Sequence, residues 1–289
     1  MRENAPRLLL VGAKGMLGKA LHEKCRESAL FVHAVGKEEM DITDPKSIER
    51  VRKEGPFTHI INVAAYTDVD GAERDFEKAC RVNAEGAENL ARAASTTKAH
   101  LLHISSDYVF DGTSQEACEE DKECHPVNAY GRSKREGEKR ILAVYPQACI
   151  LRTSWLFGEG GKNFLSSLLE GFKKKETLHV VADQWGRATY VRDLVDAILA
   201  LIDATGFFHF ANQGAVSRYE MAKWAFDYLR EKGVSLTCQR VLPVSKEAFP
   251  LPAPRPSYSL LSTEKYTGYV GEAPRHWTQA LRAFLESVS

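Results

Sequence analysis

The sequence lacks long apolar runs and any excess of charge of one sign. No stretch of about 18 apolar residues occurs, so we expect no membrane-spanning helix. The apolar run from Leu8 to Val11 is too short for a secretory leader. Thirty-nine basic residues balance 39 acidic ones without a strongly basic block, which argues against a nucleic-acid or membrane partner. We therefore predict a cytoplasmic protein whose partner is a small molecule.

Cysteine is also sparse in the sequence and follows no recognisable pattern. Six cysteines are scattered through 289 residues, an arrangement typical of a reduced intracellular protein rather than of a disulfide framework. Cys118 and Cys124 lie near His125 and a run of acids, but their spacing matches no zinc pattern. We interpret that segment as a solvated polar loop and predict no metal site.

A strand, a glycine-rich turn and a helix are predicted near the N-terminus. The apolar run Arg7–Val11 suits a strand buried on both faces of a parallel sheet. Gly12, Gly15 and Gly18 follow it. In a dinucleotide site such glycines permit the tight turn, the approach of a pyrophosphate and close helix packing, and the helix N-terminus offers free N–H groups to phosphate. The pattern favours a dinucleotide cofactor over a turn without a ligand.

The end of the second predicted strand bears on which cofactor is bound. That strand runs from Leu30 to Val35 and leads to Lys37, where a dinucleotide site contacts the adenosine ribose. An acid there would favour the free 2′-hydroxyl of NAD, whereas Lys37 suits the 2′-phosphate of NADPH. We predict NADPH, with NADH as the alternative; a solvated loop lysine is the other interpretation of Lys37. Asp41 and Ile42 are expected to close over the adenine.

The alternation of strands and helices continues along the sequence. A third buried strand runs from His59 to Ala65, and a fourth, His100 to Ile104, leads into Ser105 and Ser106. This alternation with short loops predicts an α/β fold with a Rossmann-like, doubly wound parallel sheet. Ligands bind such sheets beyond the carboxyl ends of the strands. The glycine turn, Ala64–Ala65 and Ser106 should therefore converge there.

Tyr130 and Lys134 are the candidate proton-transfer pair. They are four positions apart and therefore share one face of a helix. A cation held near a phenol favours the phenolate and lowers the tyrosine pKa toward the working range. The same spacing also occurs on ordinary surface helices, with the ring packed down and the ammonium in water. Ser106 is placed to donate to a carbonyl oxygen or, alternatively, to cap the next turn.

Motifs spread along nearly the whole chain point to one family. They are Gly12–Gly18, Asp41–Asp44, Asn62–Asp70, Ser105–Gly112, Tyr130–Lys134, Leu151–Trp155, Asp183–Gln184 and Arg255–Pro256. In these motifs the chain resembles the extended short-chain dehydrogenase/reductases and, within them, the dTDP-4-dehydrorhamnose reductases. The resemblance implies reduction of the C4 ketone of dTDP-4-dehydro-L-rhamnose to dTDP-L-rhamnose, with NADPH or NADH as the hydride donor.

The resemblance also implies roles for individual residues. Tyr130 is the acid/base, Lys134 lowers its pKa and holds the nicotinamide ribose, and Ser106 occupies the position of the catalytic serine or threonine. The residues predicted for cofactor binding, by motif and by resemblance, are Gly12, Gly15, Met16, Leu17, Gly18, Lys37, Asp41, Ile42, Ala64, Ala65, Tyr66, Asn83, Tyr130 and Lys134. Those predicted for substrate binding are Ser106, Asp107, Val109, Tyr130, Trp155 and Arg255.

The predicted architecture adds a smaller α/β substrate-binding lobe to the main sheet. We place the NAD(P)-binding domain at residues 1–152 plus roughly 176–204, and the substrate-binding domain at 153–175 and roughly 205–289. In the proline-rich segment near the C-terminus, the resemblance assigns Arg255 to a diphosphate, because a guanidinium fork matches phosphate oxygens. A rigid surface linker is the other interpretation of that segment.

Two departures from the family pattern leave the substrate open. The family commonly has a smaller residue where Trp185 stands and proline where Ala188 stands. A reductase of another nucleotide-linked 4-keto-6-deoxysugar is therefore an alternative. A second alternative is a non-catalytic protein resembling the regulatory subunits of methionine adenosyltransferase, although Arg152–Phe157 and Asp183–Gln184 match the reductases better. The oligomeric state is expected to be monomer or homodimer.

Overall fold

Six parallel strands form the main sheet of the protein, and three small sheets accompany it. The structure is a computed structural model that describes residues 5–288; residues 1–4 and 289, which the predicted domains include, lie outside the described part. The strands are β1 (Arg7–Val11), β2 (Phe31–Val35), β3 (His59–Asn62), β4 (His100–Ser106), β5 (Cys149–Thr153), β6 (Leu156–Phe157), β7 (Thr177–Val181), β8 (Trp185–Gly186), β9 (Thr189–Tyr190), β10 (Gly206–Phe210), β11 (Val216–Ser217), β12 (Arg240–Val244) and β13 (Tyr258–Ser259).

Helices connect most of the strands of the main sheet. Among residues 5–288, no helix combines the length and the apolarity that crossing a lipid bilayer requires. A π-helical turn, Arg81–Gly86, joins the fourth helix to the fifth. The helices are α1 (Met16–Glu27), α2 (Pro45–Arg52), α3 (Val69–Arg74), α4 (Phe76–Cys80), α5 (Ala87–Thr97), α6 (Ala129–Val144), α7 (Phe164–Lys174), α8 (Val191–Ala200), α9 (Arg218–Glu231), α10 (Glu264–Val270) and α11 (Trp277–Val288).

The order of the strands creates a crevice at the carboxyl edge of the main sheet. The strands lie in the order β10-β5-β4-β3-β1-β2, and every neighbouring pair is parallel. The chain proceeds from β1 to β2 on one side and resumes with β3 on the other, where Asn62 pairs with Val11. Open α/β sheets bind ligands where the strand order reverses in this way. The predicted Rossmann-like parallel sheet is confirmed.

The core lies on both faces of this sheet, because side chains alternate along a strand. On β1, Leu8 and Leu10 pack into one apolar cluster with side chains of α1 and α8. Leu9 and Val11 pack into a second cluster with side chains of α2 and α5. All four are at most 1% exposed, so β1 must be apolar throughout.

The elements differ from the predicted ones mainly at their ends. The third strand stops at Asn62, because the Asn62 side-chain oxygen accepts the N–H of Ala64 at 3.0 Å and leads the chain out of the ladder. The fourth strand continues instead to Ser106, which pairs with Thr153 of β5. Between the third and fourth strands, α4, the π-helical turn and α5 follow one another without a break.

The sheets also depart from the predicted domain boundaries. Strand β7, which the range 176–204 assigned to the cofactor domain, pairs with β12 in a separate two-stranded sheet. Strand β10, which the range 205–289 assigned to the substrate domain, pairs with β5 as an outer strand of the main sheet. Apolar periodicity identifies a strand but not its partner, and here the partners are distant in sequence.

Candidate active site

A cleft of about 760 Å³ opens at the carboxyl edge of the main sheet, a size typical of ligand sites. The ends of β1, β3 and β4 contribute to it, as do α6, the segment after β5 and the start of α9. Of the predicted site residues, those that line it are Gly12, Gly15, Met16, Leu17, Gly18, Lys37, Asp41, Ile42, Ala64, Ala65, Ser106, Asp107, Tyr130, Lys134 and Trp155.

Glycine is required at two of the three marked positions in the turn after β1. Gly12 has a φ of +93°, and a Cβ there would lie 2.6 Å from the backbone nitrogen of Ala64. A Cβ at Gly18 would lie 2.2 Å from the Gly12 carbonyl oxygen. Gly15 lines the cleft, and a Cβ there would meet only that oxygen, at 3.5 Å. The turn therefore leaves room for a pyrophosphate beside the N-terminus of α1, as a dinucleotide requires.

Lys37 lines the cleft beyond the end of β2. The two acids that follow it are engaged by Lys14, whose Nζ lies 2.7 Å from a Glu38 oxygen and 3.2 Å from a Glu39 oxygen. Glu39 also accepts the N–H of Gly36 at 2.9 Å. Within residues 5–288, Lys37 itself forms no ion pair with a carboxylate. Its charge is thus available to a phosphate on the adenosine ribose.

Helix α6 reaches the cleft because two of its glycines lie directly against neighbouring backbone. A Cβ at Gly131 would lie 2.1 Å from the carbonyl oxygen of Tyr108, and a Cβ at Gly137 would lie 2.1 Å from that of Asn83. Asn128 caps the helix, since its side chain accepts the N–H of Gly131 at 2.7 Å. This close packing fixes the face of α6 that carries the predicted acid and lysine.

Tyr130 is a protonated phenol at the base of the cleft. Burial raises its pKa, and hydrogen bonding with the Ser106 side chain opposes that effect in part. The ring packs edge-on against Tyr108, with 5.8 Å between centroids. The structure therefore differs from the expectation that Lys134 brings the pKa of Tyr130 toward neutrality, because desolvation of the phenol dominates. A phenol that keeps its proton is suited to donate it.

Lys134 turns its Nζ toward strand β4. Nζ donates to the carbonyl oxygen of Ile104 at 2.7 Å and lies 3.2 Å from Nε2 of His103. Burial lowers the pKa of Lys134 to about 8, an effect that the Glu138 carboxylate opposes. The lysine still lines the cleft, where its predicted role toward the nicotinamide ribose remains a prediction.

Ser106 is held between the end of β4 and the turn that follows. Its Oγ donates to Oδ1 of Asp107 at 2.8 Å and accepts the N–H of Tyr108 at 3.2 Å, so it also caps this turn. The Ser259 hydroxyl donates to the other carboxyl oxygen of Asp107. Burial raises the pKa of Asp107 to about 7. These contacts hold the Ser106 hydroxyl beside Tyr130, where a substrate carbonyl would be polarised.

Trp155 and Arg218 form a flat, positively charged wall of the cleft. Trp155 has a φ of +45°, which is uncommon for a non-glycine residue and typical of functional sites. Its ring covers Gly186, where a Cβ would lie 2.5 Å from the indole. The guanidinium carbon of Arg218 lies 3.7 Å from the Trp155 ring centroid and 4.8 Å from that of Phe164. Flat apolar surface and positive charge together suit a nucleotide diphosphate.

Sequence reasoning does not identify Arg218. It begins α9 directly after Ser217, which forms a capping box with Glu220, so the pattern indicates only a helix start. Among residues 5–288, Arg218 forms no ion pair with a carboxylate, and burial lowers its pKa. A desolvated guanidinium without a paired acid binds phosphate strongly. Only the fold places this arginine against Trp155.

Four predicted site residues lie outside the lining of the cleft. Arg255 donates to both carboxyl oxygens of Asp70, at 2.6 and 2.9 Å, and so ties the proline-rich segment to α3. Val109 is fully buried in a small apolar cluster. Asn83 accepts the N–H of Tyr66 at 2.8 Å and donates to its carbonyl oxygen at 3.0 Å. None of the four lines the cleft, and their predicted contacts with a ligand remain predictions.

The two departures from the family pattern are not in the lining of the cleft. Ala188 is completely buried in the main core. Trp185 pairs with Ser217 and Tyr258 in the small sheet of β8, β11 and β13. Neither residue lines the cleft, so neither gives a direct reason for a different substrate.

Comparison with known proteins agrees with this geometry. The chain is 41% identical to dTDP-4-dehydrorhamnose reductase of Mycobacterium tuberculosis, over 99% of this chain and 94% of that protein. It is 38% identical to the probable dTDP-4,6-dihydroxy-2-methyloxan-3-one 4-ketoreductase of Streptomyces antibioticus, over 96% of this chain and 93% of that protein. The crystal structure of Bacillus anthracis dTDP-4-dehydrorhamnose reductase in complex with NADP has a TM-score of 0.93 and 36% identity, covering 98% of this chain and 100% of that one.

The family model described as RmlD substrate binding domain matches residues 6–289. This match and the relative at 41% identity each extend over nearly the whole chain. The glycine turn, Ser106, Tyr130 and Lys134 all line one cleft of the parallel sheet. The chain therefore belongs to the RmlD substrate binding domain family.

Proposed function

We propose that this protein reduces the C4 ketone of dTDP-4-dehydro-L-rhamnose to dTDP-L-rhamnose with NADPH. The observation that carries the proposal is the cleft itself, in which Tyr130 and Ser106 lie between the glycine turn and the wall of Trp155 and Arg218. The full-length similarity to dTDP-4-dehydrorhamnose reductases supports the sugar, and the Bacillus anthracis relative in complex with NADP supports the cofactor.

The reaction requires a hydride at the carbonyl carbon and a proton at the carbonyl oxygen. Bound NADPH supplies the hydride. Tyr130 is the proton donor, since the raised pKa keeps its phenol protonated at neutral pH. The Ser106 hydroxyl stabilises the negative charge that develops on the same oxygen. Once the proton has moved, the product is a C4 alcohol and Tyr130 is a phenolate, which recovers a proton before the next turnover.

The substrate diphosphate lies against Arg218 in this proposal. Arg218 lines the cleft beside Trp155, whereas the guanidinium of Arg255 is already paired with Asp70. The Trp155 ring packs against Gly186 and the Arg218 guanidinium, so in this proposal the edge of the indole that lines the cleft contacts the sugar or the thymine. Arg255 then acts indirectly, by holding the proline-rich segment in place.

A second candidate is a 4-ketoreductase for another dTDP-linked keto sugar. The relative from Streptomyces antibioticus, whose name describes such an activity, favours this alternative. In this proposal the choice depends on the part of the cleft near Trp155, because Trp185 and Ala188 do not line the cleft. Action in the cytoplasm and a monomeric or homodimeric state stay predictions.

A panel of nucleotide-linked 4-keto sugars separates the two candidates. Purified protein is mixed with NADPH and each sugar in turn, and the fall in NADPH absorbance gives kcat/KM. We expect the highest value for dTDP-4-dehydro-L-rhamnose, and product analysis should identify dTDP-L-rhamnose. A higher value for another dTDP-linked keto sugar would support the second candidate, and no turnover of any sugar would contradict both.

A further inference from the structure

A buried histidine faces the predicted catalytic lysine from strand β4. His103 is 1% exposed and lies in the middle of the main sheet. Its Nε2 lies 3.2 Å from Nζ of Lys134, and its Nδ1 lies 2.8 Å from the side-chain nitrogen of Asn62. Both ring nitrogens therefore face nitrogen atoms, and the protons must be arranged so that each contact has one donor and one acceptor.

The orientation of Asn62 fixes the tautomer of His103. The Asn62 side-chain oxygen accepts the N–H of Ala64 at 3.0 Å, so its amide nitrogen is the atom that faces the histidine. An amide nitrogen only donates, and Nδ1 of His103 must therefore accept. Burial alone holds the pKa of His103 below its ordinary value, which keeps the ring neutral. The single ring proton then resides on Nε2.

An Nε2–H group that points at Nζ needs a lone pair there. An ammonium has three donors and no acceptor, whereas a neutral amine can accept one hydrogen bond and still donate to Ile104. We propose that His103 is a positioning residue that donates to Lys134 and holds it as a neutral amine in the cofactor-free protein. This inference depends on the proposed function in one respect: it assumes that the cleft binds a dinucleotide, and it predicts that Lys134 gains a proton on binding.

The surrounding charges are consistent with this assignment. Burial lowers the pKa of Lys134 to about 8, and a donor that binds the neutral form lowers it further. The group that opposes the effect is Glu138, one helical turn along α6. Its carboxylate is engaged by Arg152, at 2.8 and 2.9 Å, and by Arg135, at 2.9 Å. Tyr130, one turn earlier, is a neutral phenol.

The tautomer can be read directly by nitrogen NMR of histidine-labelled, cofactor-free protein. The sequence has nine histidines, and the signals that disappear in His103→Asn identify those of His103. We expect a proton on Nε2 and none on Nδ1 between pH 6 and 9. A proton on Nδ1, or an imidazolium, would overturn the proposal. Because no cofactor or sugar is present, this result is independent of whether the proposed reaction occurs.

A second measurement tests the effect on Lys134. Calorimetry of NADPH binding at pH 8 in buffers of different ionisation enthalpy gives the number of protons taken up. We expect uptake approaching about one proton per NADPH in the native protein, because ligand binding and protonation are linked. In His103→Gln, an amide oxygen can accept from an ammonium, so Lys134 is already protonated and uptake should fall by at least about half. Equal uptake in both proteins would contradict the proposal.

His209 provides the matched control. It is likewise fully buried in the main sheet as a neutral ring, with a pKa lowered to about 3 mainly by burial. Its Nε2 lies 3.3 Å from Arg152 rather than near Lys134. We expect His209→Asn to keep the proton uptake of the native protein and the Nε2–H signal of His103. A loss of uptake in this variant equal to that in His103→Gln would assign the effect to general loosening of the sheet and overturn the specific role.

Discussion

The two ends of the cleft are built in different ways. The cofactor end is built around one contiguous turn, in which Gly12 and Gly18 leave no space for a side chain. The substrate end brings together Trp155, Phe164 and Arg218 from three separate segments of the chain. The first construction leaves a sequence signature because its glycines lie close together in the sequence. The second depends on the whole fold, so Phe164 and Arg218 carry no local signature of a binding site.

Tyr130 lies between the two ends, and its removal should have the largest effect. Tyr130→Phe deletes the proton donor without changing the ring, so we expect kcat to fall by about 10²–10⁴-fold. The Kd for NADPH should stay within about threefold, since a single hydroxyl contributes little to a large site. Single-turnover kinetics and fluorescence titration measure the two quantities.

Tyr145→Phe is the control for Tyr130→Phe. Tyr145 follows the other end of α6 and packs against the second core cluster, away from the cleft. We expect normal kcat in this variant. Near-normal turnover in Tyr130→Phe would show that the phenol is not the proton donor. The group between the two ends of the cleft would then have no catalytic role.

The two arginines near the substrate end should differ by about an order of magnitude in their effect on substrate binding. Arg218→Met removes an unpaired guanidinium that faces the cleft. A charge-assisted hydrogen bond is worth about 1.5–3 kcal/mol, so KM for the nucleotide sugar should rise by about 10–100-fold. Arg255→Met instead leaves Asp70 without its partner. It should lower Tm and change KM by only about threefold, as expected for a supporting ion pair.

Steady-state kinetics and thermal melts of both arginine variants make this comparison. The NADPH Kd serves as the internal reference, because neither substitution should change it. A larger increase in KM in Arg255→Met than in Arg218→Met would indicate that Arg255, as predicted from the sequence, binds the diphosphate. It would also mean that the Asp70 pair opens when substrate binds.

The contrast between the two ends explains how much could be predicted from the sequence. The parallel sheet, the glycine turn, Ser106 and the residues of α6 follow from apolar runs and fixed spacings. The raised pKa of Tyr130 does not follow from the sequence, because it depends on burial of the phenol by side chains from distant segments. Arg218 was missed because its neighbours in sequence indicate only a helix cap. The sequence likewise does not predict the pairing of β10 with β5, because long-range contacts determine the partner of a strand.

Alanine at two of the turn glycines should separate cofactor binding from folding. In Gly15→Ala the new methyl group projects into an open part of the turn, so we expect native Tm and NADPH affinity about tenfold weaker, equal to about 1.4 kcal/mol. In Gly18→Ala the methyl group would lie 2.2 Å from a backbone oxygen. Overpacking of this kind costs about 1–3 kcal/mol or more of stability. Thermal melts and NADPH titration distinguish the two, and loss of stability in Gly15→Ala would show that its role is structural.

Lys37→Ala should have the smallest effect, and it tests how strongly the cofactor end discriminates NADPH from NADH. Lys37 lines the cleft, while Lys14 holds the neighbouring acids Glu38 and Glu39. An exposed ion pair with a phosphate is worth about 0.2–1 kcal/mol, so kcat/KM for NADPH should fall by about 1.5–5-fold. The value for NADH, which has no 2′-phosphate, should not change and so serves as the internal control. An equal fall for both cofactors would mean that Lys37 acts on the loop rather than on the phosphate. The cofactor end would then resemble the substrate end, with its specificity set by contacts that the sequence does not reveal.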